Sequence, residues 1–158
     1  MAASAHKRPT VRVGALLVDE GRLLLVQQAR GSERYWLLPG GGLTAGETLA
    51  DCARRELREE LHLDITPGTP LALVESISPD LIAYPKHVLH VLLSATVKPD
   101  SRVLRARHVP TYDRAVLRAQ LFAADELAAL DLRPPIAEFL CACLEKLPEQ
   151  LAYLGRRW

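Results

Sequence analysis

The stretch from Trp36 to Asp64 reads WLLPGGGLTAGETLADCARRELREELHLD, a glycine-rich turn followed by a run with helical periodicity. At ~100° per residue, and with Leu49 taken as zero, Leu49, Ala50, Ala53, Leu57 and Leu61 fall within roughly 120° of one another. On that wheel Glu56 lies near ~340°, Glu59 near ~280° and Glu60 near ~20°. Glu60 therefore falls inside the apolar sector and Glu56 borders it. A carboxylate turned toward a core costs several kcal/mol unless something compensates it. Arg54, Arg55 and Arg58 fall mostly on other faces and are poor partners for Glu60. A divalent cation held by clustered oxygens would compensate the charge. The alternative is a solvated Glu/Arg helix with i,i+4 pairs, the usual meaning of such a charge run. Pro39-Gly40-Gly41-Gly42 in front frees the backbone for tight turns and close approach to a ligand. Its carbonyls are the hard oxygens that Mg²⁺ or Mn²⁺ prefers.

The same residues resemble the Nudix box, G-x5-E-x7-R-E-U-x-E-E-x-G-U with U a bulky aliphatic. Gly41 opens the match, Glu47 follows after five residues, and Arg55-Glu56-Leu57 after seven more. Glu59-Glu60 supply the paired acids and Leu63 closes the pattern, 23 residues in all. His62 stands where the pattern has its second glycine. A residue just past a helix end commonly adopts φ > 0, which His tolerates at a cost on the order of 1 kcal/mol.

The resemblance implies an α/β/α sandwich around a mixed β-sheet, and the order of elements agrees with it. Thr10–Val18 and Arg22–Gln28 read as strands joined by a hairpin turn at Asp19-Glu20-Gly21. Residues 29–35 read as a polar loop, 47–61 as a helix, and 65–70 as a turn-rich link. Thr44 and Glu47 have capping-box spacing, with a helix start two residues later as the alternative. Further strands are expected at 71–77, 87–97 and 115–122, and helices at 124–130 and 135–147. At 158 residues and 49% hydrophobic content, the chain reads as a flexible arm (1–9) and a single domain (10–158) with a full core. A net charge of +1 gives no electrostatic case for a nucleic-acid duplex or an anionic membrane as partner. Cys52, Cys141 and Cys143 lack metal-like spacing and read as reduced core thiols. The N-terminus lacks an apolar signal core, which points to the cytoplasm.

Carried over by position, the resemblance implies a hydrolase of nucleoside diphosphate derivatives that needs Mg²⁺ or Mn²⁺. Glu56, Glu59 and Glu60 match the metal-binding and water-activating acids, and the Gly40 carbonyl a further ligand. Glu47 matches an acid that holds the box together through Arg55. Which acid serves as base stays open. Many members add an acid from outside the box; Asp113, Asp125 and Glu126 are the nearest candidates. Arg34, Trp36, Tyr84 and His90 are the candidate substrate contacts. Of His87 and His90, three apart on a strand, at most one should line a pocket. Tyr35 and Tyr112 are further candidates for base stacking, and Arg30 and Arg114 for phosphate contact. Pro79, sixteen positions beyond Leu63, matches a proline common in ADP-ribose-cleaving relatives. A nucleoside triphosphate or dinucleoside polyphosphate is the competing substrate class, and a nucleotide sensor without catalysis the competing function. The resemblance also allows a homodimer, with Leu147–Trp158 contributing to it or covering the domain's own core.

Overall fold

The structure, a computed structural model, describes residues 8–80, 86–98 and 108–158. The strands are β1 (Thr10–Asp19), β2 (Arg22–Arg30), β3 (Glu33–Leu37), β4 (Gly40–Gly42), β5 (Ile65–Ile77), β6 (His87–Val97), β7 (His108–Val109), β8 (Arg118–Phe122) and β9 (Ala152–Arg156). The helices are α1 (Leu49–Leu61), α2 (Ala124–Leu127) and α3 (Ala137–Glu145). Among the described residues the sheet runs β7-β8-β2-β1-β6-β5-β9, with β3 on β2 and β4 on β1. The β1/β6 and β5/β9 pairs are parallel and the others antiparallel, so the sheet is mixed.

Each strand sorts its side chains to two faces, as a period of two requires. Val13, Ala15 and Leu17 of β1 join Leu24, Val26, Val91 and Leu93 beneath α1, whose Cys52, Ala53, Leu57 and Leu61 fill the same layer. Leu16, Leu23, Leu25 and Leu92 point the other way, to Leu127, Ile136, Leu140 and Cys143 of the α2–α3 side. The result is the expected α/β/α sandwich.

The β1–β2 hairpin turns at Glu20 (φ 47) and Gly21 (φ 73), two positive-φ positions whose twist suits a tight hairpin. The two strands pair at Val18–Leu23 and Asp19–Arg22. Beyond that, β1 takes β4 as its neighbour at Arg12–Gly14, while β2 takes β3. The glycine-rich strand thus enters the wedge between β1 and β2, beside the end of α1, and the candidate site forms there.

Two sequence expectations need correction. The supposed polar loop at 29–35 is mostly strand, since β2 extends to Arg30 and β3 begins at Glu33. The supposed link at 65–70 is the first half of β5. Its pairing with β6 shifts register around Pro67 and Pro70, which cannot donate to a ladder. Ser94 Oγ repairs the gap by accepting from the Thr69 amide at 3.0 Å. The C-terminal stretch, for which a dimer contact and a cover for the domain's own core are the two expectations, contains β9, which lies parallel along β5. Helix α1 starts at Leu49, capped by Thr48, whose hydroxyl accepts from the Asp51 amide at 3.1 Å. The Thr44 amide bonds Glu47 Oε1 at 2.8 Å inside the loop that precedes the helix.

Candidate functional site

Two glycines permit the close approach on which the site rests. Gly40 has φ +138, and a Cβ there would stand 2.0 Å from the Val13 carbonyl oxygen. A Cβ on Gly41 would stand 2.2 Å from the carboxylate of Glu56. The loop is therefore seated against β1 on one side and against an acid of α1 on the other.

The three acids of α1 meet different surroundings. Glu60 is buried at 3% exposure, and its Oε2 accepts from the Gly40 amide at 2.9 Å. Glu56 is half-buried and receives Arg55 Nη1 at 2.5 Å. Glu59 is exposed, with Arg55 Nη1 at 3.6 Å. Arg55 also reaches forward to Glu47, donating from Nε at 3.1 Å and from Nη2 at 2.7 Å, and Nη2 donates to the Gly42 carbonyl at 3.0 Å. One guanidinium thus binds the loop to the helix, a use of its planar fork that an ammonium could not copy.

Burial pushes the Glu60 carboxyl up to about 7; the Gly40 amide and the Arg12 charge oppose the shift, and Glu56 and Asp113 reinforce it. Glu59 and Glu60 also sit in the last turn of α1, where the exposed carbonyl end of the helix disfavours further negative charge. Hard oxygens crowded at a negative helix end suit a small divalent cation. The donor chemistry fits, although among the described residues no three such side chains already converge on one point. Glu56 is turned to Arg55 and Glu60 to Gly40. The Gly40 carbonyl accepts from Arg12 Nη2 at 2.6 Å.

Arg12 went unnoticed in the sequence. Its Nη2 also reaches the Leu38 carbonyl at 3.2 Å, and its charge lies close to both Glu60 and Glu56. The available signal was a lone arginine at an inward position of the apolar strand TVRVG. In the ladder Arg12 sits opposite His90, which is buried, with Nε2 3.1 Å from Ser76 Oγ. Burial, then the charges of Arg12 and Lys86, push His90 down to about 3, so it is neutral near pH 7. Arg12 and His90 line a narrow hollow with Leu38, Arg133 and Pro134. Arg133, also missed, lies over the Tyr35 ring at 4.5 Å and pairs with Glu33 and Asp131. Burial and the nearby charges of Arg30, Arg133 and Arg12 depress the Lys86 ammonium. A cationic flank thus adjoins the acidic edge, with Arg12 touching both.

Of the remaining sequence candidates, Arg34 is exposed on β3. Trp36 requires correction: it is 8% exposed and packs edge-on against Phe122, centroids 4.7 Å apart, so its faces belong to the core. Tyr84 lies outside the described residues.

A mixed-sheet sandwich carrying a glycine loop latched to an acid-edged helix defines the class of protein. The NUDIX domain model matches residues 8–143, and the chain belongs to the Nudix hydrolase family. The chain is 34% identical over 73 residues to phosphatase NudJ of Escherichia coli strain K12, covering 46% of this chain and 48% of that protein. The match thus spans about half the length of that relative. Among solved structures, a NUDIX hydrolase from Nitrosomonas europaea aligns with TM-score 0.68 at 24% identity, over 87% of this chain and 88% of its own. An ADP-ribose pyrophosphatase from Streptococcus suis aligns with TM-score 0.65 at 23% identity, over 92% and 99%. These likenesses show the fold. No described helix is long and apolar enough to cross a membrane.

Proposed function

We propose that the chain is a hydrolase of the diphosphate linkage in nucleoside diphosphate derivatives, dependent on Mg²⁺ or Mn²⁺. The observation that carries this reading is the burial of Glu60 beside Glu56 and Arg12, behind a glycine loop that admits no side chain. Glu56, Glu59 and Glu60, with the Gly40 carbonyl, would hold the cation. The cation supplies charge neutralisation on the phosphate oxygens and a more acidic bound water. Arg55 and Glu47 keep the loop seated on the helix. The Gly40 amide orients Glu60 by donating to its Oε2. Arg12 places positive charge beside the acids, where the diphosphate of a bound nucleotide would lie, and Lys86 adds to the cationic flank near Arg12. His90, neutral and tied to Ser76, serves as a hydrogen-bonding wall of that flank.

ADP-ribose or a related sugar nucleotide is our first candidate substrate, on the position of Pro79. That proline is exposed at the end of β5's outgoing turn. Nucleoside triphosphates and dinucleoside polyphosphates form the competing class. The test is phosphate release from a panel of these compounds with Mg²⁺ or Mn²⁺, using a phosphatase to reveal monoester products. One substrate far ahead of the rest identifies the class. A folded protein that binds nucleotide and cleaves none of the panel would overturn catalysis in favour of sensing.

A further inference from the structure

Arg133 is held from several directions at once. Its Nε and Nη2 donate to the two carboxylate oxygens of Asp131, at 3.3 and 3.0 Å, and its Nη1 donates to Glu33 Oε2 at 3.2 Å. The guanidinium carbon lies over the face of the Tyr35 ring, 4.5 Å from its centroid. The backbone is fixed as well: the Arg133 amide donates to the Trp36 carbonyl at 2.8 Å, and the Trp36 amide to the Asp131 carbonyl at 2.7 Å. Tyr35 is half-buried on β3, with its hydroxyl donating to Gln28 Oε1 at 3.4 Å. The sequence offered Tyr35 itself for base stacking, and the structure gives one of its faces to Arg133.

A guanidinium is a flat group whose donors all lie in its plane. Here the two-pronged edge is spent on Asp131, so the bidentate grip that suits a phosphate is taken, and two carboxylates offset the one positive charge. One face rests on Tyr35. The side chain is still 37% exposed, and the flat surface left for a ligand is the opposite face. The hollow that Arg133 lines also holds Arg12, which reaches on to the Gly40 carbonyl beside Glu60. A nucleotide with its diphosphate at Arg12 can therefore extend its base toward Arg133. We propose that Arg133, backed by Tyr35, is the platform on which that base stacks, a specificity-determining residue that favours base-bearing ligands over base-free ones. It tolerates the identity of the base, since every base presents a π-face. This rests on the reading that the chain acts on nucleoside diphosphate derivatives.

The experiment is calorimetric titration of the full chain with AMP and with ribose 5-phosphate, one bearing a base and one without, neither with a diphosphate to cleave. The wild type should bind AMP more tightly by on the order of tenfold, the scale of a single stacked base. Arg133→Lys keeps the charge and loses the plane. It should bring AMP down to the affinity of ribose 5-phosphate and leave ribose 5-phosphate unchanged, whereas a merely structural role would weaken both together. Tyr35→Phe keeps the ring beneath the guanidinium and should keep the preference; Tyr35→Leu should reduce it. A preference for AMP that is absent from the wild type or survives Arg133→Lys, or equal losses for the two ligands, would overturn the proposal. If the wild type binds neither compound, the nucleotide reading itself fails, and this proposal with it.

Discussion

The two ends of the loop–helix unit carry acids in opposite conditions. Glu47, in the loop, is gripped by the Arg55 fork and held down to about 2, with the Thr44 amide assisting. Glu60, near the far end of α1, is buried, has the Gly40 amide and the nearby Arg12 charge for compensation, and is still pushed up to about 7. The first acid has its charge satisfied by the protein. The second is kept in place with its charge poorly met, a condition that a folded chain tolerates where a ligand completes the site. Structural and functional acids of one motif are thus told apart by what surrounds them.

The hardest blow to that distinction would come at Glu60. Glu60→Gln keeps an acceptor for the Gly40 amide while removing the charge, and turnover in the phosphate-release assay should fall by on the order of 10²–10⁴. Near-wild-type turnover would mean the wrong acid has been assigned. Gly41→Ala tests the neighbouring acid: its methyl would stand 2.2 Å from the Glu56 carboxylate, so Glu56 must swing away. We expect turnover lower by roughly 10- to 100-fold, the usual scale for disturbed ligand support, with little change in melting temperature. Undiminished turnover after Gly41→Ala would show that the placement of Glu56 does not matter.

Arg55→Lys sharpens the other half of the comparison. It retains the charge but not the fork to Glu47, Glu56 and the Gly42 carbonyl. Turnover should fall about tenfold and the melting temperature by a few degrees, as for other losses of a bonded network. Full activity in this variant would show that the latch needs charge alone.

The finest test uses pH on metal-free protein. Glu47 is held below its ordinary 4.5, so its contribution to stability is present above pH 4.5 and lost as pH falls through about 2. Glu60 is held above 4.5, so its destabilising effect is absent below pH 4.5 and grows as pH rises through about 7. Glu47→Gln should therefore melt below wild type at pH 8, and Glu60→Gln at or above it. Both differences should shrink toward acid. Shifts of the same sign at pH 8 would erase the contrast.

The helix wheel anticipated the inward turn of Glu60, the edge position of Glu56 and the outward position of Glu59, because 3.6 residues per turn is a local property. The left-handed cap at His62 was legible for the same reason, and so was the tight turn at Glu20-Gly21. Trp36 was misjudged because an aromatic side chain suits a base or a core equally, and only Phe122, brought alongside by β8, decides between them. Arg12 and Arg133 were missed because their partners lie far along the chain: the carbonyls of Leu38 and Gly40 for one, Tyr35 and Glu33 for the other.

The sequence by itself determined the loop–helix unit, the ranking of its acids by burial and the sandwich class, since each follows from short-range spacing. Tertiary structure alone decided that β4 enters the wedge beside β1, that β9 lies along β5, and that Arg133 lies over Tyr35. Those contacts depend on register between segments tens of residues apart, and no local periodicity encodes a register.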